Sequence, residues 1–91
     1  MLLKQNKDGV DLKELSSEFK RIVGARIKNL RKELNISSAA ELAEMCGIHS
    51  VTQYNYERGT RLPDAYYLYN LGKLGFDVNY IVMGVRGGII K

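Results

Sequence analysis

The sequence predicts an all-α fold, and three observations carry that reading. Apolar residues recur at steps of three and four along most of the chain, the period of a helix with one buried face. Glycines follow the apolar stretches at Gly47, Gly59, Gly75 and Gly84, the position where a helix commonly stops. No stretch shows the strict apolar–polar alternation of a half-buried strand, and no internal repeat or low-complexity tract is present.

Residues 1–15 read as an N-terminal arm or short helix. Lys4 to Gly9 are polar and end in Asp8-Gly9, a turn signal. Asp11 is placed to cap a helix, with Glu14 as the reciprocal partner of a capping box. Leu12, Leu15, Phe19, Ile22, Val23, Ile27, Leu30 and Leu34 then form a single stripe. It belongs either to one long helix or to a short one that breaks near Ser16-Ser17, and Asn35 ends it.

Ser38 begins the second helix, again with a carboxylate, Glu41, three residues on. Leu42, Ala43, Met45 and Cys46 supply apolar contacts, and Gly47 stops it. Two turns of helix are not stable alone, so this segment must pack on its neighbours. A third helix runs from Ser50 to Glu57, with His49 or Ser50 as N-cap and Gly59 as its stop. Pro63 suits the first turn of a fourth helix. There Leu68 and Leu71 face the core with Tyr67 and Leu74, up to Gly75. Asp77 caps a short fifth helix, Val78 to Met83, which Gly84 ends. Residues 85–91 form a tail: Gly87-Gly88 suggests flexibility, while Ile89-Ile90 suggests that something covers it.

The length of 91 residues suits one core and not two full domains. A hydrophobic share of 45% and a charged share of 26% place the chain with folded rather than disordered proteins. The net charge of +4 and a pI near 9.3 favour a polyanionic partner without choosing between nucleic acid and an anionic membrane. Lys20, Arg21, Arg26, Lys28, Arg31 and Lys32 crowd one stretch with no acid, either a binding face or a solvated one. Cys46, the only cysteine, excludes an intramolecular disulfide and fits a reducing cytoplasm. No apolar run approaches the ~20 residues of a membrane span, and the N-terminus lacks the long apolar core of a secretory signal. A cytoplasmic protein without membrane attachment is expected. His49 is the only histidine and has no cysteine or carboxylate cluster at ligand spacing, so neither metal nor cofactor is expected. With no glycine-rich phosphate loop and no nucleophile–base pair, no catalytic residue is assigned and no enzyme is expected.

One constellation carries chemistry. Two short helices flank Gly47, with Ala43 four residues before it and Ile48 just after. Helices that cross steeply over a three- to four-residue turn need a small side chain at the crossing and a glycine in the turn, and Ile48 plugs into the core. The longer string is more specific. Ala43-Glu44-Met45-Cys46-Gly47-Ile48, Tyr56-Glu57-Arg58-Gly59, Pro63-Asp64 and Leu74 to Gly84 stand in an order and spacing that resembles the Cro/repressor-type (XRE-like) helix-turn-helix family of phages and bacteria.

The resemblance covers roughly Ile22 to Gly84. It implies a compact bundle of about five short helices, with residues 16–84 as the DNA-binding domain. The second and third helices would form the reading unit, and the third would lie in the major groove. On that register Ser50, Val51, Tyr54 and Asn55 share an outward face. Asn55 suits the N6 and N7 of adenine, and Val51 a thymine methyl. Tyr54 would meet a base, phosphate or sugar; the alternative for Val51 and Tyr54 is packing in the core. Arg58 and Arg61 follow the reading helix and would hold phosphate, as would the Ser38 hydroxyl and His49, which otherwise serves as an N-cap. Lys28 and Lys32 read as solvated. Arg31 and Glu57 resemble a family ion pair that ties the first helix to the third.

The chain departs from the family pattern twice. The lead-in Ile36 to Leu42 is one residue longer than usual and places Ser38 or Ala39 where the family often has Gln. Six residues after the turn glycine stands Gln53 in place of an apolar residue. Either it is buried and hydrogen-bonded, or the helix is rotated and Gln53 meets bases.

The function expected is a repressor or autoregulator that binds double-stranded DNA as a homodimer on a palindromic operator. Tyr66, Tyr69, Tyr80 and the Ile89-Ile90 tail are the apolar candidates for the dimer surface. The alternative is an antitoxin-like module whose main partner is a protein and whose DNA binding is secondary.

Overall fold

The computed structural model describes residues 12–86, which form five α-helices and no strand. They are α1 (Leu12–Glu33), α2 (Ala39–Cys46), α3 (Ser50–Arg58), α4 (Ala65–Lys73) and α5 (Val78–Met83). The expected cap Asp11 and the Ile89-Ile90 tail lie outside the described residues.

α1 is one helix of 22 residues and runs unbroken through Ser16-Ser17. From Leu15 onward, its buried side starts at Val23 and continues through Ile27, Leu30 and Arg31. Leu15, Phe19 and Ile22, expected on the same buried stripe, are instead exposed by about two fifths to a half. The reason is length. At 1.5 Å per residue α1 spans roughly 33 Å, whereas each of the other helices has nine residues or fewer and is shorter than ~14 Å. They cannot cover all of it. Asn35 reverses the chain at φ 62°, a left-handed conformation that asparagine tolerates better than most residues.

Two glycines set how closely α1 packs. A Cβ on Gly24 would overlap the Tyr56 carbonyl oxygen and stand 2.8 Å from that of Glu57. A Cβ on Gly59 would lie 2.6 Å from the Arg21 Cα. The backbone of α1 therefore lies directly against the last turn of α3.

The caps are local and polar. Asp64 accepts from the Tyr67 N–H at 2.8 Å, and Asp77 from the Tyr80 N–H at 3.0 Å. With Asp64 as N-cap, Pro63 precedes α4 rather than sitting in its first turn; it is buried. Ser38 caps α2 by accepting from the Glu41 N–H at 3.1 Å. The return half of the expected capping box is shifted by one residue: the Glu41 carboxylate takes the N–H and hydroxyl of Ser37, at 2.9 and 2.8 Å.

The core joins Val23, Ile27 and Leu30 of α1 to Ile36, Leu42, Tyr56, Tyr67, Leu71, Phe76 and Ile81. The rings of Tyr56 and Tyr67 meet at 4.5 Å between centroids, tilted by 52°. Cys46 packs against this core, where burial pushes its thiol pKa up. Among the described residues no helix is long and apolar enough to cross a membrane, and no cluster of His, Cys, Asp and Glu is suited to a metal ion.

Candidate nucleic-acid interface

The turn between α2 and α3 is built by Gly47 at φ 71°. Its N–H reaches the Glu44 carbonyl at 3.2 Å, and the Ile48 N–H reaches the Ala43 carbonyl at 3.0 Å. Ala43 is almost fully buried where the two helices meet, and Ile48 packs against the core. The turn therefore satisfies the last carbonyls of α2 and anchors the start of α3 in one step. His49 takes the N-cap position of α3 with no side-chain cap bond.

The inward side of α3 is fixed by a polar network. Arg31 grips the Glu57 carboxylate with two bonds, Nε to Oε2 at 2.9 Å and Nη2 to Oε1 at 3.1 Å. Its Nη1 donates to the Ile36 carbonyl at 3.0 Å. Gln53 Nε2 donates to Glu57 Oε2 at 2.9 Å, and the Tyr67 hydroxyl donates to Gln53 Oε1 at 2.7 Å. The ion pair is nearly dry, with side chains 7% and 5% exposed. Burial holds the Tyr67 hydroxyl far above the usual tyrosine range, although its bond to Gln53 pulls the other way. Among the described residues no buried side-chain nitrogen or oxygen lacks a partner. A buried charged network that is fully satisfied fixes one arrangement, because any rotation would strand a charge.

Gln53 is fully buried, so the option in which it meets bases is corrected: both ends of its amide are engaged inside the protein. With Gln53 and Tyr56 inward, the opposite side of α3 carries Val51, Tyr54, Asn55 and Arg58 at the i, i+3, i+4, i+7 spacing of one face. Val51 is 67% exposed and Tyr54 54%, so neither packs in the core; Ser50 and Arg58 are exposed, and Asn55 is partly covered. The Arg58 guanidinium lies 5.7 Å from the centre of the Tyr54 ring, within cation–π range. Arg61 is exposed beyond α3, with its guanidinium 5.9 Å from the Tyr56 ring centre.

Ser38, Ser50, Val51 and Tyr54 come together with Ala39 and Ala40 around one open hollow of about 360 Å³ between the starts of α2 and α3. His49, Asn55, Arg58 and Arg61 stand outside it. The sequence marks Ala39, with Ser38, only as the place of an absent Gln, and it gives Ala40 no role. The signal was there: two small residues beside a helix cap leave space. Ser38 is exposed, and its oxygen accepts from Glu41 while its O–H remains a donor.

The basic stretch divides. Arg31 is buried on Glu57, Arg21 pairs with Glu18, and Arg26 donates to the Ile81 carbonyl at 3.2 Å. Lys28 and Lys32 are exposed.

A helix-turn-helix family model matches residues 27–74, just over half of the 91 and narrower than the Ile22–Gly84 span read from the motifs. The chain belongs to the Cro/repressor-type helix-turn-helix family. No match was found among curated proteins or among solved structures. As a helix-turn-helix protein it is a DNA-binding transcription regulator, and its ligand is double-stranded DNA. α2, α3 and α4 all lie within the matched segment, as does the network that sets the rotation of α3; α5 lies outside it.

Proposed function

We propose that this helix-turn-helix protein is a cytoplasmic repressor or autoregulator that binds a palindromic operator as a homodimer. The observation that carries the reading is the outward face of α3, where exposed Val51 and Tyr54 stand beside Arg58 while the inward face is locked by Gln53 and Glu57. On this reading α3 enters the major groove. Ser50, Val51, Tyr54 and Asn55 read base edges, and Arg58, Arg61, Ser38 and His49 hold phosphates.

Twofold pairing follows from size. One reading helix covers only a few base pairs, too few to select a site in a genome, and a dimer doubles them. Tyr66 and Tyr69 support a dimer surface on α4. They are 72% and 59% exposed, and their rings stack with centroids 6.4 Å apart. Tyr80 suits that role less well. It is partly covered, with the Arg86 guanidinium 4.1 Å from its ring centre. Selection from a random duplex pool followed by footprinting tests the proposal. The expected site is a palindrome with half-site centres roughly 34 Å, about one helical turn, apart. Protection of a single half-site at one protein per duplex would refute the dimer.

A protein-binding role, with DNA binding secondary, draws on a different observation. Leu15, Phe19 and Ile22 leave an apolar stripe uncovered on α1. Binding to DNA that is flat in salt, together with co-purification of a stoichiometric protein, would favour this reading over the operator.

A further inference from the structure

The N-terminal half of α1 leaves Leu15, Phe19 and Ile22 uncovered around an open hollow of about 510 Å³, which they line with Ser16 and Glu18. Steps of four and three put the three apolar residues on one face of the helix. Gly24 marks the side of α1 that lies against α3. At about 100° per residue, Leu15, Phe19 and Ile22 stand roughly 140–180° around the helix from it. A partner seated on them lies on the far side of α1 from α3 and leaves the outward face of α3 free.

The stripe has the symmetry that a copy of itself requires. A twofold contact sets residue i of one chain against j of the other, and j against i. With two α1 helices antiparallel and Phe19 at the axis, Phe19 meets Phe19. Leu15 of each chain then falls level with Ile22 of the other to within about one residue rise, ~1.5 Å. The charges follow the same rule. Glu18 and Arg21 flank Phe19 on one side of the stripe, three residues apart, exposed and paired with each other. In an antiparallel copy Arg21 comes beside this Glu18, and Glu18 beside this Arg21, so each carboxylate gains a second guanidinium. Parallel helices would set Glu18 against Glu18 instead. A patch complementary to its own reversal fits a second copy of the chain and needs no other partner.

We propose that two copies of this chain pair through the N-terminal half of α1, antiparallel about Phe19. The proposal rests on the homodimer reading above and names its contact: α1, in place of Tyr66 and Tyr69 on α4. Tyr69 is already engaged by Lys73, whose Nζ lies 5.3 Å from the ring centre and 3.4 Å from the hydroxyl. Three side chains from each chain make a seam smaller than the ~1,200–2,000 Å² of stable complexes. Pairing therefore depends on concentration in the free protein and is reinforced when DNA holds two chains on one site.

Sedimentation of the full chain without DNA is expected to show a monomer–dimer equilibrium. Phe19→Glu is expected to weaken it by about tenfold or more, the worth of one large apolar side chain. Glu18→Lys and Arg21→Glu change exposed positions and leave the core untouched. Each alone is expected to self-associate more weakly than wild type, because like charges then face each other twice across the seam. Mixed one to one, the two are expected to pair more tightly than either does alone, since each supplies the charge the other lacks. Wild type that stays monomeric at its highest soluble concentration overturns the proposal. So does a mixture that pairs no better than its components, or a dimer that Tyr66→Ser with Tyr69→Ser dissociates and Phe19→Glu does not. A different protein that co-purifies in stoichiometric amount with wild type, and not with Phe19→Glu, overturns it also. Footprints separate this contact from the operator reading. Two protected half-sites, bound equally well by wild type and Phe19→Glu, keep the operator dimer and remove the α1 contact. One protected half-site, with a free dimer that Phe19→Glu dissociates, removes the operator dimer and keeps the contact.

Discussion

Tyr67 donates its hydroxyl to Gln53 Oε1 at 2.7 Å, which fixes the rotation of α3 from the side of α4. Tyr67→Phe leaves the buried amide oxygen without a donor and is expected to cost about 1–3 kcal/mol. Gln53→Leu is expected to cost at least as much, since it also removes a donor from Glu57. The double variant is expected to lose less than the two single losses added, because each single change already breaks the shared bond. Urea unfolding reads all three. Strict additivity would separate the two residues energetically.

The same hydroxyl gives stability a pH dependence of defined sign. Burial raises its pKa above the ordinary tyrosine value. In the unfolded chain Tyr67 ionises near pH ~10. The folded protein keeps that proton, so above this pH it binds more protons than the unfolded chain and stability falls as pH rises. Below the unfolded pKa the contribution is fully present and flat. Tyr56, also raised by burial, adds in the same direction. Unfolding midpoints measured between about pH 9 and pH 11 are expected to fall more steeply for wild type than for Tyr67→Phe. Equal slopes would remove Tyr67 from the explanation.

Arg31→Met strands the Glu57 carboxylate in a dry site and is expected to cost about 3–5 kcal/mol. A double-mutant cycle with Glu57→Gln is expected to return a coupling above the ~0.2–1 kcal/mol of exposed pairs. Coupling near zero would mean that the bidentate contact contributes nothing to holding α1 on α3.

Gly24→Ala should stabilise an ordinary helix by up to about 1 kcal/mol. Here it is expected to destabilise by about 1–3 kcal/mol, because the new methyl meets backbone carbonyls that no rotamer change can move. A thermal midpoint at or above that of wild type would show that α1 and α3 part more readily than their closeness suggests.

On DNA, affinity and specificity are expected to separate. Arg58→Ala should weaken all sequences about equally, whereas Asn55→Ala should lose about 1–3 kcal/mol of discrimination at one base pair. If roughly 6–10 phosphates are neutralised per dimer, affinity falls by ~10³–10⁵ between about 50 and 200 mM salt. Binding titrations of both variants against selected and mismatched duplexes check this. A uniform effect of Asn55→Ala would remove it from the base-reading face.

Much of the helix order was legible because helix ends are written locally. Gly47, Gly59 and Gly84 all take positive φ, and Ser38 and Asp77 cap through their own side chains. The rotation of α3 was not legible. Whether Gln53 points in or out depends on Tyr67, fourteen residues away, and on a carboxylate held by Arg31 from another helix. Periodicity also overstated the buried stripe of α1. It records which residues share a face, and only the lengths of the partner helices decide how much of that face is covered. The α2–α3 hollow is hard to read from sequence for a related reason: its walls come from two helices, and its one local signal is a pair of small residues beside a helix cap.

The contact of α1 with the end of α3 is made at Gly24 and Gly59, backbone against backbone. At these two points the backbones meet with no side chain between them, and the Arg31–Glu57 pair ties the same helices, so the joint cannot creep by small rotamer steps as a seam of leucines can. The two helices travel as one piece or come apart. About twelve residues of α1, some 18 Å, reach from its start to Gly24. That length is a lever arm, and a tilt of its tip is carried by the joint into the angle at which α3 is presented.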